Sequence, residues 1–513
     1  MKSFCQLLLV TIFLMALVPV TVVQGQHVEP KLGINLAGPA DWNKEQPFVD
    51  VFRFSRQWIS HKAGQKWGKG PALELDEHGW VKRLEPMCSV DTPLCLIKGG
   101  HFPSGKYTVL YQGKGKITFS NIQKVLEQTP GRIVIQVDAR RGGIWLQIKE
   151  VDPLDYIRNI RVIMPGFENK YQSNPWRPDF LKRWAGFASL RFMDWMNTNN
   201  SSIVTWEDRP KITDASWTLQ RGIPVEILCD LANRMSIDPW FCMPHQADDN
   251  YIRQFAITVK KHLDPKLKIY IEYSNETWNG MFEQNKYAGK MGQKLGLADK
   301  SWQAAWKYTG YRSIQIFKIW EEVFGGVDSL VRVLATQAVN PYVSGQIVHQ
   351  NDAYKHADAL AIAPYMSMNV SAKDADGIVA LGLQGVLDRL ENESLPRAVK
   401  SMQKQKAFAH KLGLELICYE AGQHMVGIHG GQNNQQLTQL FHAANLHPRM
   451  GQIYQKYFKA WQNTDGGLMA MFSSVGGWSK WGSWGLMRYA DDKPMSQPKM
   501  QATLEQLRAW GKN

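Results

Sequence analysis

The stretch Lys268–Asn279, KIYIEYSNETWN, decides how this 513-residue chain is read. Ile269 and Ile271 alternate with Tyr270 and Glu272, and the β-branched and aromatic bias up to Tyr273 predicts a strand. A polar elbow follows, Asn275-Glu276-Thr277-Trp278-Asn279-Gly280, and helical patterning resumes near Phe282. A carboxylate at a strand end, beside an amide and an indole, has the parts that sugar chemistry needs. The acid protonates a glycosidic oxygen, the amide bonds a hydroxyl, and the indole gives a pyranose a flat apolar face. The helix dipole alone would also favour a Glu at this place, so a second carboxylate has to decide.

Gly413–His424, GLELICYEAGQH, supplies it: Leu414, Leu416, Ile417 and Cys418 form a short apolar strand with Glu420 at its end, before Ala421 and Gly422. Two strands that end in Glu, far apart in sequence, fit a pair of carboxyls of unequal pKa flanking a scissile bond.

Working outward, strand and helix patterns alternate on both sides of these stretches. Strands are predicted at Gly33, Leu190, Trp240, Ile269, Val331, Leu360, Leu416 and Met469, with helices over Pro224–Arg234, Asp248–His262, Trp302–Phe324, Val386–Lys411 and Gln497–Trp510. Eight strands with intervening helices predict a (β/α)8 TIM barrel, with chemistry at the C-terminal ends of the strands. Between about Gly68 and Pro165 the texture is different. KYTVLYQG, GKITFS, RIVIQVDAR, GIWLQIKEV and IRNIRVIMPG are short period-two runs separated by turns, which predict an inserted antiparallel β-sandwich. The expected organisation is a leader over 1–26, the start of the barrel over 27–67, the sandwich over 68–165 and the remaining barrel over 166–513.

Met1–Gln26 reads as a secretory signal, with Lys2 as the charged start, Leu7–Val18 as the apolar run and Val23-Gln24-Gly25 at the cleavage site. The mature chain is expected to be secreted, without a membrane anchor, and monomeric. Cys88 and Cys95, close together in what reads as a loop, are candidates for a disulfide in an oxidising compartment. Sequons begin at Asn199, Asn200, Asn369 and Asn392, and the one at Asn275 lies on the elbow, where it is expected to stay bare. A net charge of +14 raises the question of a polyanionic partner. The basic residues are dispersed and no nucleic-acid-binding motif is present, so an acidic polysaccharide or plain solubility fits better than nucleic acid.

With the strands counted, Glu276 follows the fourth and Glu420 the seventh. This resembles clan A of the glycoside hydrolases, and most closely the cellulase-like barrels around family 5. The resemblance covers Lys31–Trp58 and Asn174–Trp510. It implies a retaining hydrolase acting on a polysaccharide or oligosaccharide without metal or cofactor. Glu276 would be the acid/base, Glu420 the nucleophile and Asn275 a partner of the sugar 2-hydroxyl. Arg191 and Tyr365 resemble the residues that hold the nucleophile, and His245 resembles the His near strand three. Trp278, Trp478, Trp481 or Trp484 would provide a sugar platform. The sandwich departs from the minimal barrel of the clan, and Glu272 on strand four is an additional carboxylate, expected to pair with a base in the core. Each residue also has a plainer reading: Arg191 neutralising a buried Asp194, Tyr365 a packed ring, His245 with Asp248 and Asp249 a helix cap. Two rivals remain, a metal hydrolase built on His245, Asp248, Asp249 and His424, and a barrel that binds carbohydrate without cleaving it.

Overall fold

The computed structural model describes residues 29–218 and 221–511; the expected leader, Met1–Gln26, lies outside the described residues. Eight parallel strands close into a barrel: β1 (Lys31–Asn35), β2 (Ser189–Arg191), β3 (Asp238–Met243), β4 (Ile269–Tyr273), β5 (Leu330–Ala335), β6 (Ala359–Ile362), β7 (Glu415–Ala421) and β8 (Leu468–Phe472). Closure comes from β1 pairing with β8, with Lys31 opposite Leu468 and Asn35 opposite Phe472. All eight strands that hydrophobic patterning predicted are present.

The period of two sorts their side chains between two cores. Ile269, Ile271 and Tyr273 of β4 point outward into the large core between strands and helices. Tyr270 points inward, where Trp240, Val333, Ala359, Ala361, Ile417 and Tyr419 fill the barrel. Above this apolar filling lies a polar layer from the last residues of the strands: Asn35, Arg191 and Glu272, all buried. A strand presents its final inward residue at the mouth, so this layer forms the floor of any site there.

Between β1 and β2 the chain builds two four-stranded antiparallel sheets. One has the order Ile59–Lys62, Cys88–Leu94, Ile144–Val151, Gly115–Ser120, and the other Arg158–Ile163, Gly105–Gln112, Arg132–Val137, Lys124–Thr129. Val90, Leu94, Leu146 and Ile148 of the first join Val109, Ile133, Ile135 and Val162 of the second in one buried core, which makes the insertion a sandwich. Its first strand, Ile59–Lys62, lies ahead of Gly68, and Val49–Trp58 contains only a short 3-10 turn at Val51–Phe54. The expected disulfide is overturned, because Cys88 and Cys95 are both free. The segment between them is a strand and not a loop, so seven extended steps hold the two residues about 20 Å apart, beyond the reach of a disulfide.

Two helices matter for the mouth. The second helix after β4, Ser301–Phe324, is 24 residues long and follows Glu283–Lys294, and the helix Pro341–Val348 follows β5. Both begin near the C-terminal end of the barrel strands and run back toward the next strand.

Candidate active site

Arg191, the last residue of β2, is fully buried and organises the barrel mouth. Its Nε and Nη2 donate to the Glu272 carboxylate at 3.1 and 2.9 Å. Its Nη1 donates to Glu420 Oε1 at 3.0 Å and to Asn35 Oδ1 at 3.1 Å, and Nη2 also donates to Asn275 Oδ1 at 2.9 Å. Glu272 in turn accepts from Trp240 Nε1 at 2.9 Å and from Cys242 Sγ at 3.4 Å. The carboxylate expected to pair with a base in the core does so, and it is the clamp that orients the guanidinium. The pairing of Arg191 with Asp194 gives way to this network. Held bidentately by Glu272, Arg191 has Nη1 left for Glu420.

Glu420 is 6% exposed and accepts a second hydrogen bond, from the Tyr365 hydroxyl at 2.9 Å. Burial raises its pKa, while the Arg191 charge and the Tyr365 hydroxyl pull it down. Tyr365 lies just past the end of β6, and its ring neighbours His424 and Trp484 at 5.4 and 6.0 Å. The register of β7 against β8 shifts between Cys418 and Ala421. In a regular strand Tyr419 and Glu420 would face opposite sides; this irregularity lets both reach the mouth.

Glu276 comes from the elbow after β4. Ser274 and Glu276 adopt φ of 59° and 42°, left-handed values unusual for side chains of this size, so the chain turns sharply inward here. The Asn279 amide donates to Glu276 Oε2 at 2.8 Å and the Tyr419 hydroxyl to Oε1 at 3.3 Å. Burial, followed by the negative charge of Glu420, raises Glu276 to about 7. Asp194 is raised to about 7 by the same two causes in the same order. The two glutamates therefore differ in kind. Glu420 faces a guanidinium, whereas Glu276 is served only by an amide and a phenol and holds its proton more tightly.

Asn275 is buried beside Glu276. Its Nδ2 donates to Asn199 Oδ1 at 3.0 Å, and Gln284 Nε2 holds both Asn199 Oδ1 and the Asn275 carbonyl, at 2.7 and 2.8 Å. The sequons at Asn199 and Asn275 are thus engaged in the site's scaffold. Asn35, Asn199, Gln284, Tyr419 and Asn279 were not singled out for the site from sequence. Asn279, four residues from Asn275, and Tyr419, next to Glu420, lie within the two quoted stretches; the others carry no local signal.

The remaining residues divide. Trp278 is half-buried in the elbow and packs against the core. Trp484 enters the mouth, 4.8 Å from the His424 ring and 5.8 Å from Phe472. Trp478 is only 7% exposed, and its ring neighbours His442, Arg488 and Lys499, which leaves little face for a sugar. Trp481 is 62% exposed, with Lys480 over its ring. His245 stands two residues past the end of β3: the Tyr287 ring meets it edge-on, its backbone carbonyl accepts from the Tyr273 hydroxyl, and burial lowers its pKa to about 4. Asp248 caps its helix through the Tyr251 amide, Asp249 pairs with Arg312, and His424 packs on aromatic rings. The four residues of the metal reading are thus spread over separate tasks.

Neither a family model nor a curated protein matches this sequence. Solved structures with similar folds include a 4-O-α-L-rhamnosyl-β-D-glucuronidase from Fusarium oxysporum (10% identity, 64% of this chain and 63% of that one, TM-score 0.38). Others are a xylanase from Cellvibrio japonicus (10%, 90% and 98%, 0.36) and a family 5 mannosidase from Rhizomucor miehei (11%, 66% and 89%, 0.33). At these identities and scores nothing about the activity of this chain follows from them.

Proposed function

We propose that the protein is a secreted retaining β-glycoside hydrolase that cleaves a polysaccharide or oligosaccharide by double displacement. The unequal surroundings of the two carboxyls carry this reading: Glu420 is held by Arg191 and Tyr365, and Glu276 is raised to about 7. One guanidinium serves Glu272 and Glu420 together, so the pair already leaves a net negative charge, and a third ionised carboxyl beside it is disfavoured.

In the first step Glu420 attacks the anomeric carbon while Glu276 gives its proton to the departing oxygen, leaving a glycosyl ester on Glu420 and an ionised Glu276. In the second step Glu276 takes a proton from water as the water oxygen attacks the same carbon and releases Glu420. Two inversions give net retention. Asn275 is held by Arg191 through its oxygen, and the amide hydrogen not given to Asn199 is free for a sugar hydroxyl. Tyr419 and Asn279 keep the Glu276 carboxyl in place between the two steps.

The test is Glu276→Gln with a 2,4-dinitrophenyl β-glycoside, whose leaving group needs no proton. Glycosylation should survive, deglycosylation should slow, and azide should restore turnover with a β-glycosyl azide as product. An α-azide, or inverted product anomers from the native protein by NMR, overturns retention. Secretion is supported by the charged start and apolar run before Gln26. N-terminal sequencing of exported protein should begin close to residue 27, and exported protein that retains Met1 would count against it.

A further inference from the structure

Four of the five exposed aromatic rings among the described residues lie on segments that follow the C-terminal ends of barrel strands. Trp42 is on the loop after β1 and Trp481 on the loop after β8, whereas Trp302 and Tyr342 sit in the first turns of the helices that begin at Ser301 and Pro341, after β4 and β5. Strands 8 and 1 lie opposite strands 4 and 5 in the barrel order. The two pairs of rings therefore stand on opposite rims of the mouth that holds Glu276 and Glu420.

The β4–β5 rim is the better built. Trp302 and Trp306, one helical turn apart, have ring centroids 4.7 Å from each other, and Trp306 meets the Tyr342 ring at 6.2 Å. Trp306 Nε1 donates to the Trp278 carbonyl at 3.3 Å, and Thr309 Oγ1 to Thr277 Oγ1 at 2.8 Å. The stripe is thus anchored directly on the elbow that carries Glu276. Trp302 is 43% and Tyr342 52% exposed, and Met281, past the elbow after β4, and Val339, on the loop after β5, are more exposed still. Helix stability does not call for this, since the same helix buries Ala304, Ala305 and Tyr308 on its other side and its outer face needs only polar residues. The neighbouring polar groups are two amides, Gln303 donating to Gln346 Oε1 at 3.1 Å and Asn340 at the start of the next helix, and one cation, Lys300, whose Nζ lies 5.9 Å from the Trp302 ring centroid. Flat rings edged by hydrogen-bonding amides and an ammonium match a sugar chain, whose ring faces are apolar and whose edges carry hydroxyls.

We propose that Trp278, Trp306, Trp302 and Tyr342 form an aromatic track for the sugar units on the leaving-group side of the scissile bond, so that the substrate is a polysaccharide chain cleaved internally. The side follows from Glu276: the acid must stand beside the departing oxygen, and the track begins in its elbow. This rests on the glycosidase reading and deepens it, because a chain of several units beyond the bond would gain contacts that a small leaving group cannot.

The experiment uses the full chain carrying Trp302→Ala and Tyr342→Ala together. Electrophoresis through gels containing β-glucan, β-mannan or xylan should retard native protein in at least one polysaccharide and leave the double variant unretarded. On β-1,4-linked gluco-, manno- and xylo-oligosaccharides of increasing length, native kcat/KM should rise with chain length. The variant should lose at least about tenfold on the longest and a clearly smaller factor on dinitrophenyl glycosides. Equal mobility of the two proteins in all three gels overturns the track whether or not any substrate is cleaved. Retardation without turnover of any substrate instead removes the glycosidase reading and keeps the track. A native dimer that the double substitution converts to monomer, seen by sedimentation, assigns the stripe to a second copy of the chain and overturns the proposal.

Discussion

At the barrel mouth one guanidinium, Arg191, faces Glu272 and Glu420, with Glu276 and Asp194 close by, and the three ion-paired side chains are almost wholly out of solvent. In the sandwich one guanidinium, Arg132, also faces two carboxylates, Glu127 and Glu168, but these side chains are 32 to 50% exposed. Water screens the second cluster and costs its members little desolvation. In the first, the charges act at short range in a medium that cannot relax around them, and each added negative charge is paid for by a raised pKa. On the function proposed above, the same residue types have two uses: in one place they pin two strands together, and in the other they would hold a poised acid and base.

Four measurements sharpen or break this contrast. The largest effect is expected from Glu420→Gln, which should lower kcat/KM at least about 10⁴-fold while raising the melting temperature, because it removes a buried charge and keeps the shape. Full activity in this variant would end the glycosidase reading.

Arg191→Met comes next. It strands Glu272 and Glu420 without a counter-charge and should cost about 3 to 5 kcal/mol at neutral pH. Both carboxyls would then sit further above their unfolded pKa values. The folded state binds the extra protons, so stability should be recovered as pH falls toward the unfolded carboxylate range and lost as pH rises. Denaturant melts at two pH values check this; a pH-independent loss would mean that Arg191 acts mainly through packing.

Glu276 sets the third expectation. With its pKa raised to about 7, kcat/KM should fall as pH rises through that value, because the proton for the leaving oxygen is gone. A dinitrophenyl glycoside, which needs no such proton, should lack this limb. If both substrates show it, the group that titrates is not the acid.

The smallest effect belongs to the sandwich. Arg132→Ala should change stability by within about 1 kcal/mol, less at high salt, and leave turnover of an aryl glycoside unaltered. A loss as large as that at Arg191 would erase the distinction between the two clusters.

Much of this architecture is legible in the chain itself. Alternation at Ile269–Tyr273 and the apolar run before Glu420 locate two strands and the carboxyls at their ends, because a side-chain period of two and a polar break are local properties. The sandwich is legible for the same reason, although Cys88–Leu94, with Pro93 and Asp91 inside it, lacks a clean alternation and reads as loop. Its true state separates Cys88 from Cys95.

Sequence alone therefore determines the (β/α)8 barrel, the insertion and the two glutamates after strands four and seven, since each is written in the periodicity of a few neighbouring residues. Only the tertiary structure decides what surrounds those glutamates. That Glu272 clamps Arg191, that Tyr419 and Glu420 both enter the mouth past an irregular register, and that Asn35, Asn199 and Gln284 close the network depend on contacts between residues up to hundreds of positions apart. Partners in a closed barrel are chosen by strand register and by which side chain ends up inward at the rim, and a single strand read by itself carries neither.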